Sequence, residues 1–136
     1  MKLGSLNLPS RVLLSPLEGV SDVGFRHLCA HLGAGATFTE MCRAQRIASN
    51  NKATLDLIDT HSLIHQPPSP TGIQMLATSP KQLSKALENL EYLATTTRPE
   101  YKNIQIIDLN FGCPAPNIIN NGAGPALLHR RYIFFH

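Results

Sequence analysis

Long apolar runs are missing from this chain of 136 residues. No segment approaches the roughly 18 apolar residues of a membrane-crossing helix, so no membrane association is expected. The start, MKLGSLNLPSR, lacks the long apolar core of a signal peptide, and a cytoplasmic location is the expectation. Cysteine is sparse: Cys29, Cys42 and Cys113 are odd in number and scattered, with no C-x-x-C spacing. Such a set argues against a disulfide framework and a structural zinc site, and free thiols need a reducing compartment. The histidines show neither H-x-x-H nor H-E-x-x-H spacing, so no metal site is expected. Charge is modest as well. Charged residues make up 15% and hydrophobic ones 43%, the balance of a globular chain and not of a disordered or coiled-coil one. A net charge of +3 permits contact with a polyanion without demanding it, because Lys and Arg are spread out and adjacent only at Arg130-Arg131. The length suits one domain with a real core.

What is present is an alternation of strand-like and helix-like stretches. VLLS, 12–15, is a short apolar run closed by Pro16 and reads as a buried strand. The pair Ser21-Asp22 is a good helix N-cap, followed by Phe25, Leu28, Cys29 and Leu32 at helical spacing and then Gly33 and Gly35. ATFTEM, 36–41, reads as a second strand, with a helix from about Arg43. HSLIHQPPSPTG, 61–72, is a Pro-rich connection expected to be a surface loop, leading into a third strand, GIQML. Ser79-Pro80 starts a helix whose buried stripe is Leu83, Leu87, Leu90 and Ala94. IQIIDLNF, 104–111, is the fourth strand, and GPALLHRR could open one more helix.

The order is βαβαβαβ, with no hairpin signal such as Asn-Gly between two strand-like runs, which implies a parallel sheet with helical crossovers. Strands begin near 12, 36, 72 and 104, an average of about 30 residues per unit, the pitch of a TIM barrel of roughly 250 residues in eight units. A doubly wound sheet also fits the alternation, but no G-x-G-x-x-G follows the first strand. The expected fold is therefore α/β, a TIM (β/α)8-type barrel cut to about its first four βα units.

Chemistry gathers at the ends of these strands. In the fourth, alternation puts Ile104, Ile106, Asp108 and Asn110 on one face, with the polar pair at its carboxyl end. Ile107, Leu109 and Phe111 face the other way, suited to packing against helices. Active sites of α/β barrels lie at the carboxyl end. Two roles are open to Asp108 and Asn110: contact with a bound heterocycle, or hydrogen bonds to loop backbone amides. Gly112-Cys113-Pro114 presents a thiol on a stiff loop, where it could act as a general acid or, as thiolate, a nucleophile. Cys29 and Cys42 read as packing residues. SPLEGVSD, 15–22, leaves the first strand at the same end, and Glu40 and Gln74 add polar groups at comparable depth. A Gln in an apolar strand needs a partner, either a ligand or a neighbouring loop.

These stretches together resemble the dihydrouridine synthase family of flavoenzymes. SPLEGVSDVGFRHLCAHLGAGATFTEM is similar to that family's opening strand, loop and helix, and GIQMLATSPKQLSKALENLE to its third strand and following helix. IIDLNFGCPAPNIINNGAGPALL resembles its N-x-G-C-P segment and the G-A-G stretch after it. The resemblance implies a barrel holding FMN at its mouth and acting on uridines in tRNA. It also implies that NADPH reduces the flavin, that the flavin passes hydride to C6 of the uracil, and that Cys113 donates the proton to C5. By the same resemblance Asn110 lies near the flavin and the base, Gln74 hydrogen-bonds the isoalloxazine, and Pro16 and Leu17 belong to the loop whose backbone meets the flavin. Glu18, the next residue of that loop, stands where many bacterial members have Ala.

The resemblance stops near Arg130. The family's barrel continues through four more units that supply a Lys, a His and phosphate-binding loops, and a tRNA-binding helical domain usually follows. The ending RRYIFFH reads as neither a finished helix nor a strand. The expectation is a partial or split form, dependent on a complementary C-terminal half-barrel or on homo-oligomerisation to cover its open edges. A non-catalytic fragment or interaction module is the alternative, and another FMN barrel such as a dihydroorotate dehydrogenase is a further one.

Overall fold

The structure is a computed structural model and describes residues 1–58 and 69–129. The chain opens with an antiparallel hairpin, β1 (Lys2–Leu3) and β2 (Leu6–Asn7). The hairpin has a turn at Gly4-Ser5, with Gly4 at φ 58°, the first-position geometry that favours glycine in two-residue loops. Gly-Ser is itself a two-residue hairpin signal, so the expectation of no hairpin is corrected at the N-terminus.

The main sheet is parallel. β5 (Thr71–Leu76) is its centre, paired on one side with β6 (Ile104–Leu109). Its other side pairs with β3 (Thr37–Phe38) and then β4 (Cys42–Arg43). The VLLS run contributes one parallel bridge, Leu13 to Ala36, with Leu14 N–H donating to Ala36 O (3.0 Å). Chain order and sheet order therefore agree, and the sheet is open: no closed barrel is formed by the described residues.

Helices cover one face. α1 (Val23–His31) is capped by Asp22, whose Oδ1 accepts from Phe25 N (2.8 Å). α2 (Ala44–Ala48) and α3 (Lys52–Leu57) follow β4, and α4 (Pro80–Thr96) starts on the Ser79 cap expected from the sequence. The tail holds α5 (Pro116–Asn120) and α6 (Ala126–His129). Ile73 and Met75 of the centre strand and Ala77 just beyond it meet Ile47, Leu55, Ala86, Leu90 and Leu93 in the principal core. Burying each large apolar side chain there contributes roughly 1.5–3 kcal/mol. On the opposite face Leu8 of the hairpin packs with Ala36, Phe38 and Ile106. Gly72 permits this layer: a Cβ there would stand 2.5 Å from the Phe38 ring.

Four local expectations need correction. The VLLS run is not buried: Val12 is 69% exposed, because it forms an edge with a single rung. On α1 the buried residues are Arg26 and Ala30, while Leu28 and Leu32 are 54% and 79% exposed and Cys29 is half-buried. The ATFTEM strand is interrupted, since Phe38 pairs with Gly72 but Cys42 with Met75, which leaves one extra residue on this side. Ile104 packs into the helix-side core and not with Ile106, because the pairing slips between Thr71 and Gly72 and inserts a residue. The Pro-rich connection from 61 to 68 and the ending RRYIFFH lie outside the described residues. Among the described residues, no helix is long and apolar enough to cross a membrane.

Candidate functional site

Ile73 and Met75 turn to the helices, so Gln74 between them and its ladder partner Asp108 turn to the other face. Gln74 and Asp108 are paired partners in the ladder and meet there: Gln74 Nε2 donates to Asp108 Oδ2 (2.7 Å). Asn110, just past β6, donates from Nδ2 to Gln74 Oε1 (3.0 Å). Its own Oδ1 accepts from the backbone N–H of Gly112 (3.1 Å) and of Cys113 (3.0 Å). A continuous series of hydrogen bonds thus runs from Asp108 through Gln74 and Asn110 to the Cys113 loop. The Asn110 N–H is anchored on Met75 O (2.9 Å), which extends the ladder into the loop.

Cys113 itself is half-buried against Leu76, Ile118 and Ala123, beside Met41 and Ala115. α5, started by Pro116, and the turn through Ala123 therefore brace the thiol loop from the C-terminal side. Of the two roles open to Asn110, contact with loop amides is realised through its oxygen. Each of these bonds uses one of the two N–H groups of an amide, so among the described residues Gln74 and Asn110 each retain one further donor.

The 15–22 loop is built separately. Leu17 N–H donates to Ser21 Oγ (2.8 Å), and Leu17 O accepts from Ser21 N (2.9 Å) and Val20 N (3.1 Å). Arg26, buried in α1, donates to Ser21 O (2.8 Å). Glu40 reaches across from the interruption between β3 and β4, and its Oε2 accepts from Gly19 N (2.8 Å). Thr39 connects the two groups, accepting from Gln74 N (3.3 Å) and donating to Glu40 O (2.8 Å). Pro16 is half-buried, and Leu17 and Glu18 are exposed. None of these three bonds to the Gln74–Asn110 group among the described residues. The Leu17 N–H and C=O both bond inside this turn.

The structure therefore brings Gln74, Asn110 and the Cys113 loop together, with Asp108 as their shared origin, and leaves Pro16, Leu17 and Glu18 on a neighbouring rim. Ser21, Arg26 and Thr39 escaped the sequence reading. The polar residues of SPLEGVSD and of TFTE hinted at Ser21 and Thr39, and nothing in the sequence pointed to Arg26. Cys42 meets the packing expectation: it is buried, and burial pushes its thiol from 9.0 up to about 11.

With this geometry in hand, comparison with known sequences is decisive. The family pattern described as Dihydrouridine synthase (Dus) matches residues 13–134. The chain belongs to the dihydrouridine synthase family. A tRNA-dihydrouridine synthase B of Pasteurella multocida is 35% identical over 130 residues, covering 94% of this chain and 35% of the relative. The tRNA-dihydrouridine synthase B of Pseudomonas aeruginosa is 36% identical over 130 residues, with the same coverage. A probable tRNA-dihydrouridine synthase of Rickettsia prowazekii is 29% identical over 128 residues. The chain spans about a third of the length of these dihydrouridine synthase relatives, 35–36%. Every residue of the hydrogen-bonded series lies inside the matched dihydrouridine synthase span.

Proposed function

We propose that residues 1–136 supply the N-terminal half of the flavin-binding barrel of an FMN-dependent tRNA-dihydrouridine synthase. The complete site reduces a tRNA uridine to 5,6-dihydrouridine, with NADPH as reductant. One observation carries this reading: a family member's strand ends converge through hydrogen bonds on the backbone N–H of Cys113. The donor set fits a flavin. Gln74 and Asn110 each keep an amide N–H for the polar edge of a flat heterocycle, and the Pro16–Glu18 rim lies beside the same strand ends. Bound FMN supplies the hydride that uracil receives at C6.

The chain's own part is positional and acidic. Asn110 fixes the loop, and the Cys113 S–H bond breaks as a C–H bond forms at C5 of the uracil; solvent then reprotonates the thiolate. The remaining barrel walls complete the site, whether they belong to the same polypeptide or to another. The reaction places the protein where tRNA and reduced thiols coexist, which fits the cytoplasm.

The test is reconstitution. tRNA lacking dihydrouridine is incubated with this chain, FMN and NADPH, with and without the C-terminal remainder of the Pseudomonas aeruginosa relative. The expected result is a flavin-coloured complex, with two hydrogens gained at a uridine only when both parts are present. A co-purified pair that stays colourless and leaves the tRNA mass unchanged overturns the reading.

A further inference from the structure

We propose that Asp108 is a positioning residue whose carboxylate sets the donor–acceptor polarity of the whole series and thereby holds the Cys113 loop. An ionised carboxylate can only accept, and a backbone N–H can only donate. Asp108 therefore requires the Nε2 end of Gln74, which turns Oε1 toward Asn110. That oxygen requires the Nδ2 end of Asn110, and the amide's oxygen is left facing the N–H groups of Gly112 and Cys113. Both ends of the series demand the same order. Reversing either amide would set two donors or two acceptors against each other at each junction.

Asp108, Gln74, Asn110 and Cys113 are half-buried, where water competes less for these bonds and a mispaired polar group is costly, while Gly112 is exposed. The effect on proton transfer rests on the proposed acid role of Cys113. The effect on the loop does not.

Polarity can be tested separately from shape, because Asp/Asn and Gln/Glu are close in size. Gln74→Glu sets two carboxylates face to face. Asp108→Asn removes the fixed acceptor and lets Gln74 turn either way. The double variant Asp108→Asn/Gln74→Glu rebuilds the order with the carboxylate moved one residue along: an amide donates to it from each side. The readout is residue-resolved amide hydrogen exchange of Gly112 and Cys113 in the 136-residue chain, with β5 and β6 amides as internal reference. Exchange should quicken about tenfold in Gln74→Glu and a few-fold in Asp108→Asn, and return to within about twofold of wild type in the double variant. A double variant as fast as Gln74→Glu overturns the proposal. So does equal acceleration of the β5 and β6 amides in the single variants, which would make Asp108 a general stabiliser. Failure of the tRNA reconstitution with this rescue intact would remove the catalytic reading and leave the positioning one standing.

Discussion

Cys42 and Cys113 both lie toward the carboxyl end of the sheet, yet their surroundings divide them. Cys42 is sealed under Thr39 and Glu40, its Sγ donating to Glu40 O (3.4 Å), and burial holds its proton. Burial is the largest cause; the Thr39 hydrogen bond and the Arg26 charge oppose it, and Glu40 adds to it. The folded thiol titrates near 11 against 9.0 for an ordinary one, so above 9.0 the unfolded chain releases a proton that the folded one keeps. Stability from this residue is whole below 9.0 and falls as pH rises toward 11, a loss on the order of 2–3 kcal/mol. Denaturant unfolding of wild type and Cys42→Ala at several pH values checks this: the gap between them should narrow from pH 8 to pH 11. A constant gap would contradict it. Gln74 makes a second residue-scale point. A lone polar residue in an apolar strand announces a partner in the sequence, but the sequence could not say that the partner would be Asp108, because ladder register decides it.

At the scale of elements, what periodicity and caps control was legible. Asp22 and Ser79 cap α1 and α4, and Leu83, Leu87, Leu90 and Ala94 do line the buried side of α4. What depends on tertiary contact was not legible. The interruption that sends Glu40 to Gly19, and the inserted residue that moves Ile104 to the helix side, are bulges fixed by the neighbouring strand. The apolar residues of α1 and its cap were assigned a buried face by spacing, yet Leu28 and Leu32 are exposed. Helix contacts carry their own specificity. Asn89 of α4 donates to Ile47 O (2.7 Å) and to Asn50 Oδ1 (3.0 Å), closing the end of α2 where Asn50 takes φ 55°. Asn89→Ala should cost about 1 kcal/mol and lower Tm by roughly 3–5 °C. Asn50→Gly keeps the Ile47 bond and should stay within about 0.5 kcal/mol of wild type, glycine being at ease in that conformation. Thermal melts of both variants decide whether the Ile47 bond dominates; equal losses would say it does not.

For the whole molecule, the open sheet leaves apolar surface at its first edge. Val12, Leu13, Leu14, Cys29 and Leu32 line a shallow hollow of about 290 Å3 there. At the other edge Ile107 is 41% exposed on the helix-facing side of β6. These are the surfaces that further βα units of a barrel would cover, and the chain spans 35% of its Pasteurella multocida relative. The order of strands, the parallel sheet and the convergence of strand ends were readable from the sequence; the sheet formed by the described residues is open. On the proposed function, the Asn110-held Cys113 protonates a uracil once those walls are present. The most direct measurement compares wild type with Cys113→Ala in the reconstituted, FMN-loaded assembly, counting dihydrouridine per tRNA by mass spectrometry. The expected result is unchanged flavin absorbance and a loss of at least about a hundredfold in dihydrouridine formation rate, the usual contribution of a general acid. Flavin-loaded Cys113→Ala that forms dihydrouridine at the wild-type rate would contradict it.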